Sequence, residues 1–176
     1  DVLKDFGFDK FITELSTWNP EDKKNFVGSE KQWDLATSSL EKVLKRLNIE
    51  YKTIPGEAAF YGPKIDIKLV DAIGRLWQLS TVQFDFNLPA RFGLEYVAED
   101  GTRKQPVMVH RALYGSVERF FGVLIEHYAG AFPVWLSPVQ VVLVPIAERH
   151  VDYANKVAAR LRASEVRVEV DARNEK

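Results

Sequence analysis

Apolar residues first fall into a clear helical rhythm after Ser29. Trp33, Ala36, Leu40, Val43, Leu44 and Leu47 recur at helical spacing. Ser29-Glu30-Lys31-Gln32 before them is a capping-box pattern, and the helix is expected to end near Asn48. Upstream, the loose alternation of Phe11, Thr13, Leu15 and Thr17 predicts a strand over Phe6 to Thr17, closed by the polar turn Asn19 to Lys24. Downstream, Ile65, Ile67 and Leu69 alternate with Lys64, Asp66 and Lys68, which predicts a strand with one wet face. A turn at Asp71 to Gly74 and a second long strand, Arg75 to Phe86, complete an antiparallel hairpin.

Pro89 to Thr102 reads as a loop. Pro106 to Val109 reads as a short buried strand that ends on His110. Val117, Phe120, Phe121, Leu124 and Tyr128 then mark one face of a second helix, with Ser116 as its N-cap. Phe132 to Pro138 reads as a linker. The near-continuous apolar run Val139 to Ile146 has the look of a buried parallel strand. A helix with Val151, Ala154, Val157, Ala158 and Leu161, then a strand with Val166, Val168 and Val170, complete a βαβ unit. Hairpin-paired strands with helices to one side, followed by βαβ, predict an α+β domain and the start of an α/β domain.

The 176 residues carry a formal net charge of −1, so any polyanionic partner must be met by a local patch. Cysteine is absent, which excludes disulfides and thiol chemistry and leaves His and carboxylates as the metal ligands. No apolar run approaches the ~20 residues of a membrane span, and no signal pattern opens the chain. A soluble, cytoplasmic protein is the expectation. The chain starts at Asp1 without an initiator Met and stops at Lys176 without a closing element, as expected of a piece of a longer protein.

Several residues break local rules. Arg119 places a cation in the first turn of its helix, where the dipole disfavours it, and Gly122 lies one turn later. A guanidinium above bare backbone leaves room for something flat or anionic. Tyr61-Gly62-Pro63-Lys64 sets a phenol and an ammonium around a rigid turn. Gln78 and Gln83 sit in an apolar strand and need partners. Their spacing would point them to opposite faces of a regular strand, so a shared site requires a bulge near Ser80-Thr81. His127 and His150 belong to no constellation.

Together, Phe60 to Lys64, Trp77 to Phe86 and His110 to Gly122 resemble the threonyl-tRNA synthetases. Gly28-Ser29 with its helix, and Trp135 to Val141, extend the resemblance over nearly the whole chain. The resemblance implies the C-terminal half of a class II catalytic domain over residues 1–136, built on an antiparallel sheet with flanking helices. Residues 137–176 would open an anticodon-binding domain. The implied activity joins threonine to tRNA(Thr) through a threonyl-adenylate made from ATP with Mg²⁺.

His110 matches the family's zinc-ligand histidine, one of three ligands, and Arg119 the arginine that stacks on adenine and meets the ATP phosphates. Tyr61, Lys64, Gln78, Gln83 and Ser116 match positions lining the threonine and ATP pocket, with Gln78 and Ser116 on the ATP side. The family's other zinc ligands, its first two class-defining motifs and its main dimer contact have no counterpart here, so the piece alone is expected to be inactive. Prolyl and seryl enzymes share the class. His110 followed by Arg111-Ala112 and Gly115-Ser116 favours threonyl.

Overall fold

The computed structural model describes residues 2–173. Two compact units divide it, Asp1–His127 and Tyr128–Lys176. The first is built on a five-stranded sheet with strand order β2-β1-β3-β4-β7. Its strands are β1 (Phe11–Thr17), β2 (Lys52–Pro55), β3 (Lys64–Val70), β4 (Leu76–Asp85) and β7 (Met108–Ala112). Pairing is antiparallel throughout β1-β3-β4-β7. The short β2 alone runs parallel to β1. The antiparallel α+β expectation is therefore met, with one parallel strand added at the edge.

Helix α2 (Glu30–Arg46) covers one face of this sheet. Its N-terminus carries the predicted capping box: Ser29 N–H donates to Gln32 Oε1 at 2.8 Å, and Gln32 N–H donates to Ser29 Oγ at 3.3 Å. Asn48, at φ 52°, turns the chain out of the helix. Leu40 and Leu44 pack on Leu15 and Ile65, with Ile67, Val82 and Phe84 around them. Trp33, fully buried, stacks on Trp18 and closes a second apolar cluster with Ala36 and Phe86. Leu15, Ile65, Ile67, Val82 and Phe84 thus take one side of the pleat. Glu14, Ser16, Lys64, Asp66, Thr81 and Gln83 take the other, since side chains alternate along the regular stretches of each strand.

Several expectations need correction. The first strand begins at Phe11: Val2–Asp5 forms a helical turn (α1), and Phe6-Gly7, with Gly7 at φ 84°, turns the chain out of it. The loop after β4 contains α3 (Asn87–Arg91) and a hairpin of β5 (Tyr96–Val97) with β6 (Arg103–Lys104), elements too short to show periodicity. The strand ending on His110 extends to Ala112 and is not buried. It is one of the sheet's two edge strands, and Val109 is 54% exposed. Helix α4 (Val117–Tyr128) buries Phe120, Val123 and Leu124, whereas Val117 and Phe121 face outward. Phe120 is held by Phe6, Phe8 and Tyr114, which rotates the buried stripe away from the expected one.

In the second unit, β8 (Val141–Leu143) and β9 (Val168–Val170) pair in parallel, connected through α5 (Val151–Ala163). The parallel βαβ expectation holds, but the expected burial does not: Ile146 is 92% exposed and Val144 67%. Burial on both faces needs neighbours on both sides, and β8 has only β9 among the described residues.

Candidate active site

The polar side of the first sheet gathers the residues singled out by sequence. The strands supply them by pleat and register. Lys64 and Asp66 lie two apart on β3 and so share a face; Lys64 pairs with Gln83, and Asp66 with Thr81. Gln83 in turn pairs with His110 on β7. Regular alternation would then turn Gln78 to the apolar side. The register instead steps between Ile67 and Lys68, so that Ser80 pairs with Ile67 and Gln78 with Lys68, leaving Leu79 as the extra residue. The bulge required by the two glutamines exists, one residue before the expected position.

Two polar clusters result. In the first, Asp66 is the hub. One carboxylate oxygen meets the Lys64 ammonium; the other accepts from Gln78 Nε2 and from Thr81 Oγ1, both at 2.7 Å. The expected wet face of β3 is closed here: the Asp66 side chain is 2% exposed and that of Lys64 15%. Burying a carboxylate requires this full complement of donors. The adjoining cleft, of about 260 Å³, is lined by Glu14, Ser16, Lys64, Lys68 and Gln78 among others. Ser16 Oγ is the one buried side-chain oxygen or nitrogen without a hydrogen-bond partner among the described residues.

In the second cluster, the Tyr61 hydroxyl donates to Gln83 Oε1 at 3.1 Å, and its ring meets the His110 imidazole edge-on. His110 Nε2 lies 2.8 Å from Asp85 Oδ2. Burial alone would raise the Asp85 pKa. The His110 contact and the amides of Leu88 and Asn87, which donate to Oδ1, outweigh it and hold the carboxyl below its ordinary value. Asp85 was not among the sequence candidates. The available signal was an acid between Phe84 and Phe86 at a strand end, the same clue that exposed the glutamines. Among the described residues no three His, Cys, Asp or Glu side chains could hold a metal together.

The Tyr61–Lys64 turn owes its position to Gly62. A Cβ there would come within 2.1 Å of the Phe84 carbonyl oxygen. The close approach lets Phe84 N–H reach Pro63 O and Phe86 N–H reach Tyr61 O, stitching the turn to β4. A similar contact joins the loop before α4 to the bulge. Gly115, at φ +69°, lies over the Gln78 and Leu79 carbonyls, and Ser80 Oγ donates to Leu113 O. Ser116 caps α4 as expected, its Oγ accepting from Arg119 N–H at 3.1 Å. The exposed Arg119 guanidinium donates to Gln78 O at 3.3 Å, and open space surrounds Gly122. All seven sequence candidates therefore belong to the first unit. Tyr61, Lys64, Gln78, Gln83 and His110 lie on one sheet face or its bordering turn; Arg119 meets that sheet at the Gln78 carbonyl beside the bulge, and Ser116 caps the helix that carries it.

Residues 1–128 match the family described as tRNA synthetase class II core domain (G, H, P, S and T). The chain belongs to this family. Residues 140–176 match a second family, described as anticodon binding domain. A threonine–tRNA ligase of Acidobacterium capsulatum is 74% identical to this class II chain over 175 residues, which are 99% of the chain and 26% of that protein. The chain thus spans about a quarter of the length of the curated relatives it matches. Among solved structures, the RNA binding domain of threonyl-tRNA synthetase from Cryptosporidium parvum Iowa II superposes with a TM-score of 0.88 at 40% identity, covering 99% of this chain and 43% of that one. A putative threonyl-tRNA synthetase from Aeropyrum pernix gives 0.75 at 38% identity, covering 92% and 38% respectively.

Proposed function

We propose that this chain is part of a threonine–tRNA ligase, which activates threonine with ATP and transfers it to tRNA(Thr). The supporting observation is the convergence of Tyr61, Lys64, Gln78, Gln83 and His110 on one polar sheet face, made possible by the bulge at Leu79. The names of the relatives point the same way.

In the proposed reaction the threonine carboxylate attacks the α-phosphorus of ATP and pyrophosphate leaves. The terminal ribose hydroxyl of tRNA then takes the threonyl group from the adenylate. Positioning and charge neutralisation supply most of the acceleration in such chemistry. Arg119 offers a planar cation, anchored at one nitrogen by Gln78 O, for stacking on adenine and meeting phosphate. Lys64 presents an oriented ammonium, while Gln78 and Ser116 frame the ATP side. Tyr61 and Gln83 border the amino-acid side, already joined to one another.

His110 fits a zinc ligand, because Asp85 fixes one ring nitrogen as carboxylates commonly do for ligating histidines, leaving the other to the metal. Bound zinc would act as a Lewis acid engaging the threonine amine and hydroxyl, by which valine is rejected. The other two ligands are not in this chain, so residues 1–176 alone are expected to be inactive. We assign residues 1–136 to the catalytic domain and 137–176 to the anticodon-binding domain, in a cytoplasmic homodimer.

The test is amino-acid-dependent ATP–pyrophosphate exchange by the full-length protein with threonine, serine, valine and proline, alongside His110→Ala. Exchange with threonine that collapses in the variant together with bound zinc is the expected result. Exchange with proline, or with none of the four despite a folded protein, sinks the proposal.

A further inference from the structure

Lys64 hangs on a flexible four-carbon stem, and a catalytic ammonium is useful only if it is held still. Its own strand supplies the anchor: Asp66, two residues along the same face, engages the ammonium. The same carboxylate accepts from Gln78 Nε2 and Thr81 Oγ1. Lys64 comes from β3, whereas Gln78 and Thr81 lie on either side of the bulge in β4. One buried acid therefore ties two candidate substrate-contacting groups from two strands, across the one irregularity in their pairing.

The electrostatics fit a supporting role rather than contact with substrate. At 2% exposure the Asp66 side chain is sealed off, and both its oxygens are engaged. Lys64 retains two of its three N–H donors for an anionic oxygen. On the proposed threonine–tRNA ligase reading, we infer that Asp66 is a positioning residue, acting on the reaction through Lys64 and Gln78.

Asn at this position is nearly isosteric but cannot serve all three donors. Its amide nitrogen must face either the Lys64 ammonium or the Gln78 and Thr81 donors. The test uses the full-length protein in a double-mutant cycle: Asp66→Asn, Lys64→Met and the pair, with threonine-dependent pyrophosphate exchange and thermal unfolding measured on each. Asp66→Asn is expected to lower kcat by about 100-fold, as a displaced reactive group does, with little change in the KM for threonine. In the Lys64→Met background the same substitution should cost less than about threefold, because groups acting as a unit are not additive.

Equal losses in both backgrounds, or an unchanged kcat in Asp66→Asn, overturn the inference. Should Asp66→Asn fail to fold, Thr81→Val removes one of the hub's donors without altering charge. It is expected to lower kcat about fivefold in the unsubstituted background and less than about twofold beside Lys64→Met, where only the Gln78 arm remains; the same loss in both overturns the inference. A fully folded, unsubstituted protein with no threonine-dependent exchange defeats the ligase reading itself, and this inference with it.

Discussion

Two polar clusters share one sheet face, and they differ in how completely they are partnered. Around Asp66, a cation, an amide and a hydroxyl together satisfy a carboxylate that is itself buried. Around His110 the arrangement is half open: its side chain is 39% exposed, Asp85 occupies one ring nitrogen, and nothing among the described residues bonds to the other. The first cluster is a finished scaffold that this chain builds from its own strands. The second is prepared from behind and open in front, the form expected of a group that awaits a ligand.

Gly62 serves both clusters, since Tyr61 and Lys64 flank it, and its substitution should have the largest effect. Gly62→Ala drives a methyl into the Phe84 carbonyl, a backbone atom that cannot swing away. The expected loss is about 3 kcal/mol in urea unfolding, with the turn pushed off β4. A stability within 0.5 kcal/mol or so of the unsubstituted protein would show that the turn is not pinned there.

Asp85→Ala separates the clusters. It releases His110 and strips the first amides of α3 of their acceptor, while leaving Lys64, Asp66 and Gln78 untouched. A loss of about 2 kcal/mol is expected. The pH dependence has a definite sign. A carboxyl held below its unfolded pKa contributes stability that is present above pH ~4 and lost as pH falls through the lower folded value. Unfolding measured down the acid limb should therefore be flatter for Asp85→Ala; an unchanged slope would remove Asp85 from the account.

The smallest effect tests the closed cluster's edge. Ser16 Oγ is buried and unpartnered beside Lys64 in the register, so Ser16→Ala removes a polar atom that gains nothing from burial. Stability is expected to stay level or rise by up to about 1 kcal/mol. A loss beyond that size would mean the hydroxyl has a partner.

Sequence revealed those features whose cause is local. The Ser29 capping box, the Asp71–Gly74 hairpin and the Ser116 cap each depend on residues a few positions apart, and each is present. The bulge was legible only as a need: two glutamines at odd spacing had to find partners. What escaped depends on long-range neighbours. Lys52–Pro55 is too short and polar to announce a strand, and forms one only because β1 lies alongside. Asp66 read as one of the polar positions on a wet face, because alternation cannot tell solvent from a ring of donors brought in by another strand. The Val139–Ile146 run suggested burial by composition, yet a strand is buried only by what packs on it.

The extra residue at Leu79 gives β4 two parities. Every position on one side of it faces the polar clusters by one count, and every position beyond it by the opposite count. Point substitutions leave that count intact. Deleting Leu79 would change the interval between Gln78 and Gln83 from five to four, an even interval at which uniform alternation keeps both glutamines on the polar face without a bulge. The bulge is thus the device by which an odd interval serves one face, and a substitution at either glutamine leaves that device in place.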